Sequence, residues 1–157
     1  MSFTYVDLFA GIGGFHAALG ALGGQCVYAS EIDPHAAKIY QRNWGIKPEG
    51  DITLAANDSV MEVPEHDVLV GGFPCQPFSK SGKQLGMEES RGTLFWNIAK
   101  IIEVRKPKLV LLENVRNIAG PRHAHEWEVI IRSLRTLGYR VSSVPLVVTP
   151  HRISPMH

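Results

Sequence analysis

The chain has 157 residues, of which 45% are hydrophobic and 20% charged, and its formal net charge is +1. This length and composition indicate one soluble domain over residues 1–157, and no apolar run approaches the roughly eighteen residues of a membrane span. The balanced charge differs from the strongly basic face of most duplex-DNA binders, so a surface that reads the major groove is expected to come from elsewhere.

The predicted elements alternate between strands and helices along the chain. In order they are strand 3–8, helix 14–22, strand 25–30, helix 34–43, a short strand near 50–53, strand 67–71, helix 93–104, strand 108–113, helix 124–137 and strand 139–148. Pro34 suits the first turn of a helix, and Gly45 suits the end of that helix. This alternation predicts a doubly wound, mostly parallel α/β sheet.

A glycine-rich stretch, Asp7–Phe15, lies between the first strand and the first helix. Such a turn lets a ligand approach backbone N–H groups at a helix N-terminus. Glu31 closes the second strand about twenty residues after Gly11, which is typical of a carboxylate that holds ribose hydroxyls. The pattern alone fits a dinucleotide or another adenosine-containing ligand. An NAD-dependent oxidoreductase is disfavoured, because the fingerprint G-x-G-x-x-G would need glycine where the chain has His16.

Residues 72–81 read Gly-Phe-Pro-Cys-Gln-Pro-Phe-Ser-Lys-Ser, which places one thiol between two prolines. Neither proline suits a helix interior, so Cys75 is expected on irregular backbone just past the strand that contains Val70. The carboxyl ends of strands are where open α/β sheets bind their ligands. The alternative is that Cys75 is a small buried hydrophobe, as most free cysteines are. The flanking Gly, Pro, Gln and Ser residues favour a site.

Six stretches resemble, in order, the motifs of the cytosine-C5 DNA methyltransferases. They are Asp7–Gly14, Glu31–Asp33, Gly50–Ile52, Gly72–Ser81, Arg91–Phe95 and Glu113–Val115. The Pro-Cys-Gln-Pro core and the Glu-Asn-Val triplet are the specific ones. The resemblance implies a Rossmann-like S-adenosylmethionine-dependent methyltransferase fold. It also implies an incomplete C-terminus, because the family's Gln-x-Arg-x-Arg motif and target recognition domain have no counterpart here.

The resemblance implies methyl transfer from S-adenosylmethionine to carbon 5 of cytosine in double-stranded DNA. Cys75 would add to carbon 6 as the nucleophile. Glu113 would hydrogen-bond ring nitrogen 3 and supply or share a proton, a role that implies burial and a raised pKa. The alternative for Glu113 is a surface carboxylate at a strand end.

The resemblance also assigns binding residues. The cofactor would be held by Phe9, Ala10, Gly11, Ile12, Gly14, Glu31, Ile32, Asp51, Ile52, Phe73, Pro74 and Leu94. DNA would be contacted by Gln76, Ser79, Ser81, Lys83 and Arg91, on a loop that closes over an extruded base. The alternatives are plain core packing for the apolar members, an N-cap role for Asp51 and simple solvation for Lys83 and Arg91.

The remaining predictions concern redox state, metals and partners. Two cysteines, Cys26 and Cys75, make no disulfide framework, which favours a reducing cytoplasm, and the resemblance implies activity at a prokaryotic nucleoid. No zinc spacing joins the histidines to these cysteines, and His123 and His125 are expected to be exposed at a helix start. The chain is expected to be inactive alone and to need a complementing C-terminal polypeptide. A non-catalytic remnant or interaction subunit is the alternative.

Overall fold

The computed structural model of the chain describes residues 2–76, 87–90 and 93–149. Its centre is a parallel four-stranded sheet with the strand order β2-β1-β3-β4. The strands are β1 (Phe3–Leu8), β2 (Gly24–Ser30), β3 (Val68–Gly72) and β4 (Leu109–Glu113). The helices are α1 (Gly14–Ala21), α2 (Pro34–Trp44), α3 (Ile52–Ala55), α4 (Leu94–Arg105) and α5 (Ala124–Thr136), with 3-10 turns at Met87–Ser90, Arg116–Ala119 and Pro121–His123.

The two faces of the central strand β1 pack against different layers of the fold. Val6 and Leu8 are fully buried and join a core with residues of α4 and α5. Tyr5 points the other way and packs edge-on against His16 of α1, with ring centroids 5.8 Å apart. Successive strand residues point to opposite faces, so both faces of β1 need cover. The sheet is therefore doubly wound, as the sequence predicts.

The apolar faces of α4 and α5 are buried against the sheet. They comprise Ile98, Ile101, Ile102, Val129, Ile130 and Leu134. Each such side chain contributes roughly 1.5–3 kcal/mol when it is fully buried. This packing fixes β3 and β4, and with them the segments that leave their carboxyl ends. No helix in the described part of the chain is long and apolar enough to cross a membrane.

The short strand predicted near 50–53 is wrong. The Asp51 carboxylate accepts hydrogen bonds from the Thr53 backbone N–H at 2.9 Å and from the Thr53 hydroxyl at 2.8 Å. These bonds cap the start of α3, so the chain enters a helical turn instead of extending. Next to this segment, the backbone pairs with the sheet at an isolated bridge between Ser30 and Glu49.

The strand predicted over 139–148 is also wrong, because this segment is irregular in the structure. Pro145 lacks the backbone N–H that a strand ladder uses. Side chains of α5 bind the backbone of the segment instead: Arg135 donates to the Val141 carbonyl at 2.8 Å, and the Trp127 indole donates to the Ser143 carbonyl at 3.1 Å. Tertiary contacts therefore override a β-rich sequence.

Candidate active site at the carboxyl edge of the sheet

The topology brings four predicted segments to one edge of the sheet. β1 lies between β2 and β3, so the strand order reverses between β1 and β3, which is where open α/β sheets bind their ligands. Residues 9–14 leave β1 at this edge, and residues 73–76 leave β3. Glu31 follows β2, and Glu113 ends β4. Residues that are distant in sequence thus share one edge of the sheet.

The loop after β1 uses left-handed backbone three times, at Phe9 (φ 56°), Gly11 (φ 55°) and Gly13 (φ 98°). A Cβ atom on Gly13 would lie 2.0 Å from the indole nitrogen of Trp44, so only glycine fits. That indole donates a hydrogen bond to the Ile12 carbonyl at 3.0 Å and thereby fixes the loop. The N-cap residue of α1 is Gly13, which has no side chain to cap the first turn. The N–H groups of this turn are therefore suited to a polar ligand.

Glu31 is oriented by the loop that it faces. Its Oε2 accepts the backbone N–H of Gly11 at 2.8 Å, and its Oε1 accepts that of Asp33 at 2.8 Å. Each carboxylate oxygen has two acceptor positions, so both oxygens keep capacity for a further donor. The arrangement suits recognition of adjacent hydroxyl groups at the tip of β2.

Cys75 lies on irregular backbone just past β3, where the sequence predicts it. Two hydrogen bonds anchor its neighbours: Asn114 Nδ2 donates to the Phe73 carbonyl at 2.7 Å, and the Leu94 backbone N–H donates to Gln76 Oε1 at 2.9 Å. The first bond links the loop to the end of β4, and the second links it to the start of α4. The thiol is therefore held at a defined position between two elements.

Glu113 stands beside the same loop but is exposed, whereas the sequence analysis expects burial. It pairs with Gly72 across the β3–β4 ladder, and a Cβ atom on Gly72 would lie 3.0 Å from Glu113 Oε2. Glycine therefore leaves room for the carboxylate. β4 is the edge strand of the described sheet, and Leu109 and Leu111 are 57% and 48% exposed. Glu113 is exposed because no described element covers this face.

The Cys75 thiol has two titratable neighbours that the sequence analysis did not place there. Its Sγ lies 3.7 Å from His123 Nδ1 and 3.8 Å from His123 Nε2. His123 Nδ1 lies 3.8 Å from Glu126 Oε2. Burial raises the pKa of the Cys75 thiol, and the negative charge of Glu126 raises it further. The thiol is thus not pre-ionised by its surroundings.

The prediction that His123 and His125 are exposed is wrong, because both are half-buried, and 23% of the His123 side chain is accessible. The spacing of three residues between His123 and Glu126 is the signal that could have found this pair, since side chains three apart share a helix face. Among the described residues, no group of three or more His, Cys, Asp or Glu side chains could hold a metal ion.

Asp7, near the end of β1, is fully buried, and neither of its carboxyl oxygens has a hydrogen-bond partner among the described residues. Burial raises the pKa of Asp7 to about 7. The Tyr40 hydroxyl and the His16 backbone N–H lower this pKa, but neither meets the geometry of a hydrogen bond to Asp7. The Tyr40 hydroxyl instead lies 2.7 Å from His16 Nδ1. The sequence places Asp7 in a motif but does not indicate that the acid is buried.

The other predicted cofactor residues differ in exposure. Ala10, Ile52 and Phe73 are buried, Ile12, Ile32 and Pro74 are exposed, Leu94 is half-buried, and Asp51 caps α3. These placements do not test contact with a ligand. Of the predicted DNA contacts, Gln76 binds the start of α4, while Ser79, Ser81, Lys83 and Arg91 lie outside the described residues. Their roles remain predictions.

Comparison with known sequences matches residues 3–148 to the family of C-5 cytosine-specific DNA methylases. The chain is 61% identical over 153 residues to the Type II methyltransferase M.AluI of Cellulosimicrobium cellulans, covering 95% of this chain and 29% of that protein. It is 49% identical over 135 residues to the Type II methyltransferase M.HhaI of Haemophilus parahaemolyticus, covering 86% of this chain and 40% of that protein.

Among solved structures, the chain is similar to the Dnmt2 methyltransferase of S. pombe, with a TM-score of 0.64 and 25% sequence identity. The similarity covers 88% of this chain and 41% of that one. These matches confirm a Rossmann-like methyltransferase fold, and the chain spans well under half the length of each of these proteins. Because the family match extends over nearly all of the described residues, the chain belongs to the C-5 cytosine-specific DNA methylase family.

Proposed function

We propose that this chain forms the cofactor-binding and nucleophilic portion of an enzyme that methylates carbon 5 of cytosine in double-stranded DNA. The observation that carries the proposal is the position of Cys75. The thiol is anchored just past β3, the strand that lies between β1, which leads into the glycine loop, and β4, which ends at Glu113. In the proposal, the nucleophile, the acid and the cofactor loop therefore follow three neighbouring strands at one edge of the sheet.

The proposed reaction begins with addition of the Cys75 sulfur to carbon 6 of the base, because carbon 5 alone is a poor nucleophile. The S–C6 bond forms, and the electron pair of the C5=C6 bond moves through the ring to nitrogen 3, where Glu113 supplies a proton. Carbon 5 of the resulting enamine takes the methyl group from the donor, whose sulfur keeps the electron pair of the broken bond, and nitrogen 3 returns its proton to Glu113 as the C4=N3 bond re-forms. The proton on carbon 5 then leaves to water, its electron pair re-forms the C5=C6 bond, and the S–C6 pair returns to sulfur as the product forms.

S-Adenosylmethionine would supply the electrophilic methyl group, and the described residues fit it. Glu31 has acceptor capacity for two ribose hydroxyls, and the uncapped first turn of α1 suits the polar methionine end. A Cβ atom built on Gly14 would meet nothing within 4 Å, so there is open space beside that turn. Ile32, which is 72% exposed, would cover the adenine.

DNA recognition would require more polypeptide than this chain. Its net charge is +1, and the segment shared with it makes up 29% and 40% of the two Type II methyltransferases compared above. We therefore include in the proposal a complementing C-terminal polypeptide that supplies the major-groove surface. Ser79, Ser81, Lys83 and Arg91 would contact DNA phosphates from this side.

A chimera provides the direct test. Residues 3–148 would replace the matching segment of M.AluI, the relative with 61% identity, and the product would be incubated with labelled S-adenosylmethionine and duplex DNA that carries that protein's site. We expect label in DNA, and a covalent adduct when the target base is 5-fluorocytosine, since fluorine cannot be eliminated. Cys75→Ser should abolish both, and Cys26→Ser is the matched control.

Three outcomes separate the alternatives. Label transfer that survives Cys75→Ser would show that another group is the nucleophile. A folded chimera that binds the cofactor but forms no adduct would favour a non-catalytic remnant. Robust turnover by the 157-residue chain alone would contradict the need for a complementing polypeptide.

A further inference from the structure

A buried carboxylate faces the histidine beside Cys75. Glu126, in the first turn of α5, has only 8% of its side chain exposed, and its Oε2 has no hydrogen-bond partner among the described residues. A buried carboxylate is costly unless a cation or a donor faces it. The cation-forming group that lies toward Glu126 Oε2 is His123, with its Nδ1 at 3.8 Å.

The same histidine also lies against the sulfur. Both of its ring nitrogens are near Cys75 Sγ, Nδ1 at 3.7 Å and Nε2 at 3.8 Å, and both separations are within the range of sulfur hydrogen bonds. Glu126 Oε2 lies 3.8 Å from Nδ1, so its negative charge favours the tautomer that carries the proton on Nδ1. That tautomer leaves Nε2 as the acceptor, and the three groups then correspond to a nucleophile, a base and a carboxylate that orients the base.

We propose that His123 accepts the Cys75 proton as the sulfur attacks carbon 6, and that Glu126 orients His123 and stabilises its imidazolium. The inference deepens the proposed function and rests on it, because a base is needed only if Cys75 attacks a carbon. The S–H bond breaks, its electron pair forms the S–C6 bond, and the proton moves to Nε2. When the product leaves, the S–C6 pair returns to sulfur, and His123 gives the proton back.

The raised pKa of the Cys75 thiol explains why a base is needed. Burial and Glu126 both hold the thiol in its protonated, weakly nucleophilic form. The titratable groups that the structure places against Cys75, among its described residues, are His123 from the turn before α5 and Glu126 from α5 itself. His123 is a catalytic residue in this scheme, since it touches the reacting sulfur, whereas Glu126 is a positioning residue that acts through His123.

The test uses the intact 157-residue chain and iodoacetamide, so it needs neither DNA nor cofactor. The alkylation rate of Cys75 would be measured from pH 5 to pH 10 by peptide mass spectrometry. We expect His123→Gln to slow alkylation at pH 7 at least about tenfold, because the remaining rate then depends on the small fraction of ionised thiol alone. His35→Ala, which changes an exposed histidine of α2, should alter nothing.

Glu126→Gln separates positioning from direct charge. Loss of the carboxylate removes one cause of the raised pKa of the Cys75 thiol, so through charge alone the substitution should speed alkylation at pH 7. If Glu126 acts by orienting His123, the substitution should slow alkylation instead, and this slowing should disappear in the His123→Gln background. Cys26, whose pKa is raised by burial, is the internal reporter, because its alkylation accelerates if a variant unfolds.

Two results would overturn the inference. The first is a wild-type rate that follows the ionisation of the Cys75 thiol alone from pH 5 to pH 10, which requires no variant to fold. The second is a His123→Gln profile equal to wild type. Neither outcome depends on methylation. If the chimera methylates DNA but the alkylation rate does not depend on His123, the proposed function stands and the role of His123 as a base is wrong. Alkylation that depends on His123 in a chimera without activity supports the thiol–histidine pair and rejects the proposed function.

Discussion

The two edges of the sheet place a carboxylate in opposite surroundings. At the amino edge, Asp67 accepts hydrogen bonds from the Thr4 backbone N–H at 2.9 Å and from Lys108 Nζ at 2.7 Å. These bonds, that of Lys108 first, lower the pKa of Asp67 to about 2. At the carboxyl edge, Asp7 is fully buried without a hydrogen-bond partner, and burial raises its pKa to about 7.

Positive-φ backbone occurs at both edges. Phe9, Gly11 and Gly13 lie at the carboxyl edge, whereas Gly23 and Lys106 lie just before β2 and β4 at the amino edge. The edges differ in how their carboxylates are satisfied. Asp67 ties three strands together through its side chain and backbone, whereas the carboxylate of Asp7 has no hydrogen-bond partner among the described residues.

The largest expected effect that would test this division comes from Glu113→Gln at the carboxyl edge. In the chimera, the rate constant for methyl transfer should fall roughly 10²–10⁴-fold, because an amide cannot supply the proton to nitrogen 3. Single-turnover kinetics would measure it. Asp67→Asn is the control at the opposite edge and should leave the rate unchanged. A change confined to KM would assign Glu113 a binding role instead.

Much of the fold could be predicted because local patterns determine it. Apolar runs located β1 to β4 within one or two residues, and their alternation with helices gave the parallel topology. The two predicted strands that the structure lacks lie where a single side chain determines the local conformation. Asp51 caps a helix in place of a strand, and Arg135 binds the backbone that a further strand would have used for its ladder.

The sequence predicts only those features of the site that depend on residues close together in the chain. Prolines on both sides of Cys75 and the position of Glu31 after a strand are visible in sequence. The contact between Cys75 and His123 joins residues 48 positions apart, and no local pattern encodes it. The burial of Asp7 was hidden for the same reason, because α1 and α2 create it from outside the strand.

Asp7→Asn should show what the unpaired carboxylate costs. A folded-state pKa of about 7, above the unfolded value of 3.8, means that the native state holds the proton more tightly. Stability should therefore fall as pH rises from about 4 to 7. Linkage gives a loss of roughly 3 kcal/mol between pH 5 and pH 8. Urea unfolding at the two pH values should show that loss in the wild type and a smaller one in the variant. Equal losses in both would mean that Asp7 is not the titrating group.

Gly13→Ala tests the strained loop at the same edge. The left-handed φ of 98° disfavours a Cβ atom, and that atom would displace the Trp44 indole from the Ile12 carbonyl. We expect a loss of about 2–3 kcal/mol in unfolding free energy, from backbone strain and one hydrogen bond. Gly14→Ala is the matched control, since its Cβ atom would meet nothing within 4 Å. Equal losses for the two variants would contradict a specific role for Gly13.

The smallest effect is expected at the amino edge, where Asp67 is partly exposed and its partner Lys108 is 84% exposed. Asp67→Asn should lower stability at neutral pH by less than Gly13→Ala does, because solvent screens the ion pair. The sign with pH is opposite to that of Asp7. The folded-state pKa of Asp67, about 2, lies below the unfolded value of 3.8, so its contribution is present above pH 4 and disappears as pH falls toward 2. Urea unfolding at pH 7, 4 and 3 should therefore show a gap between wild type and variant that closes on acidification. A gap that stays constant with pH would assign the effect to the Thr4 hydrogen bonds, which an asparagine side chain can partly keep, and not to charge.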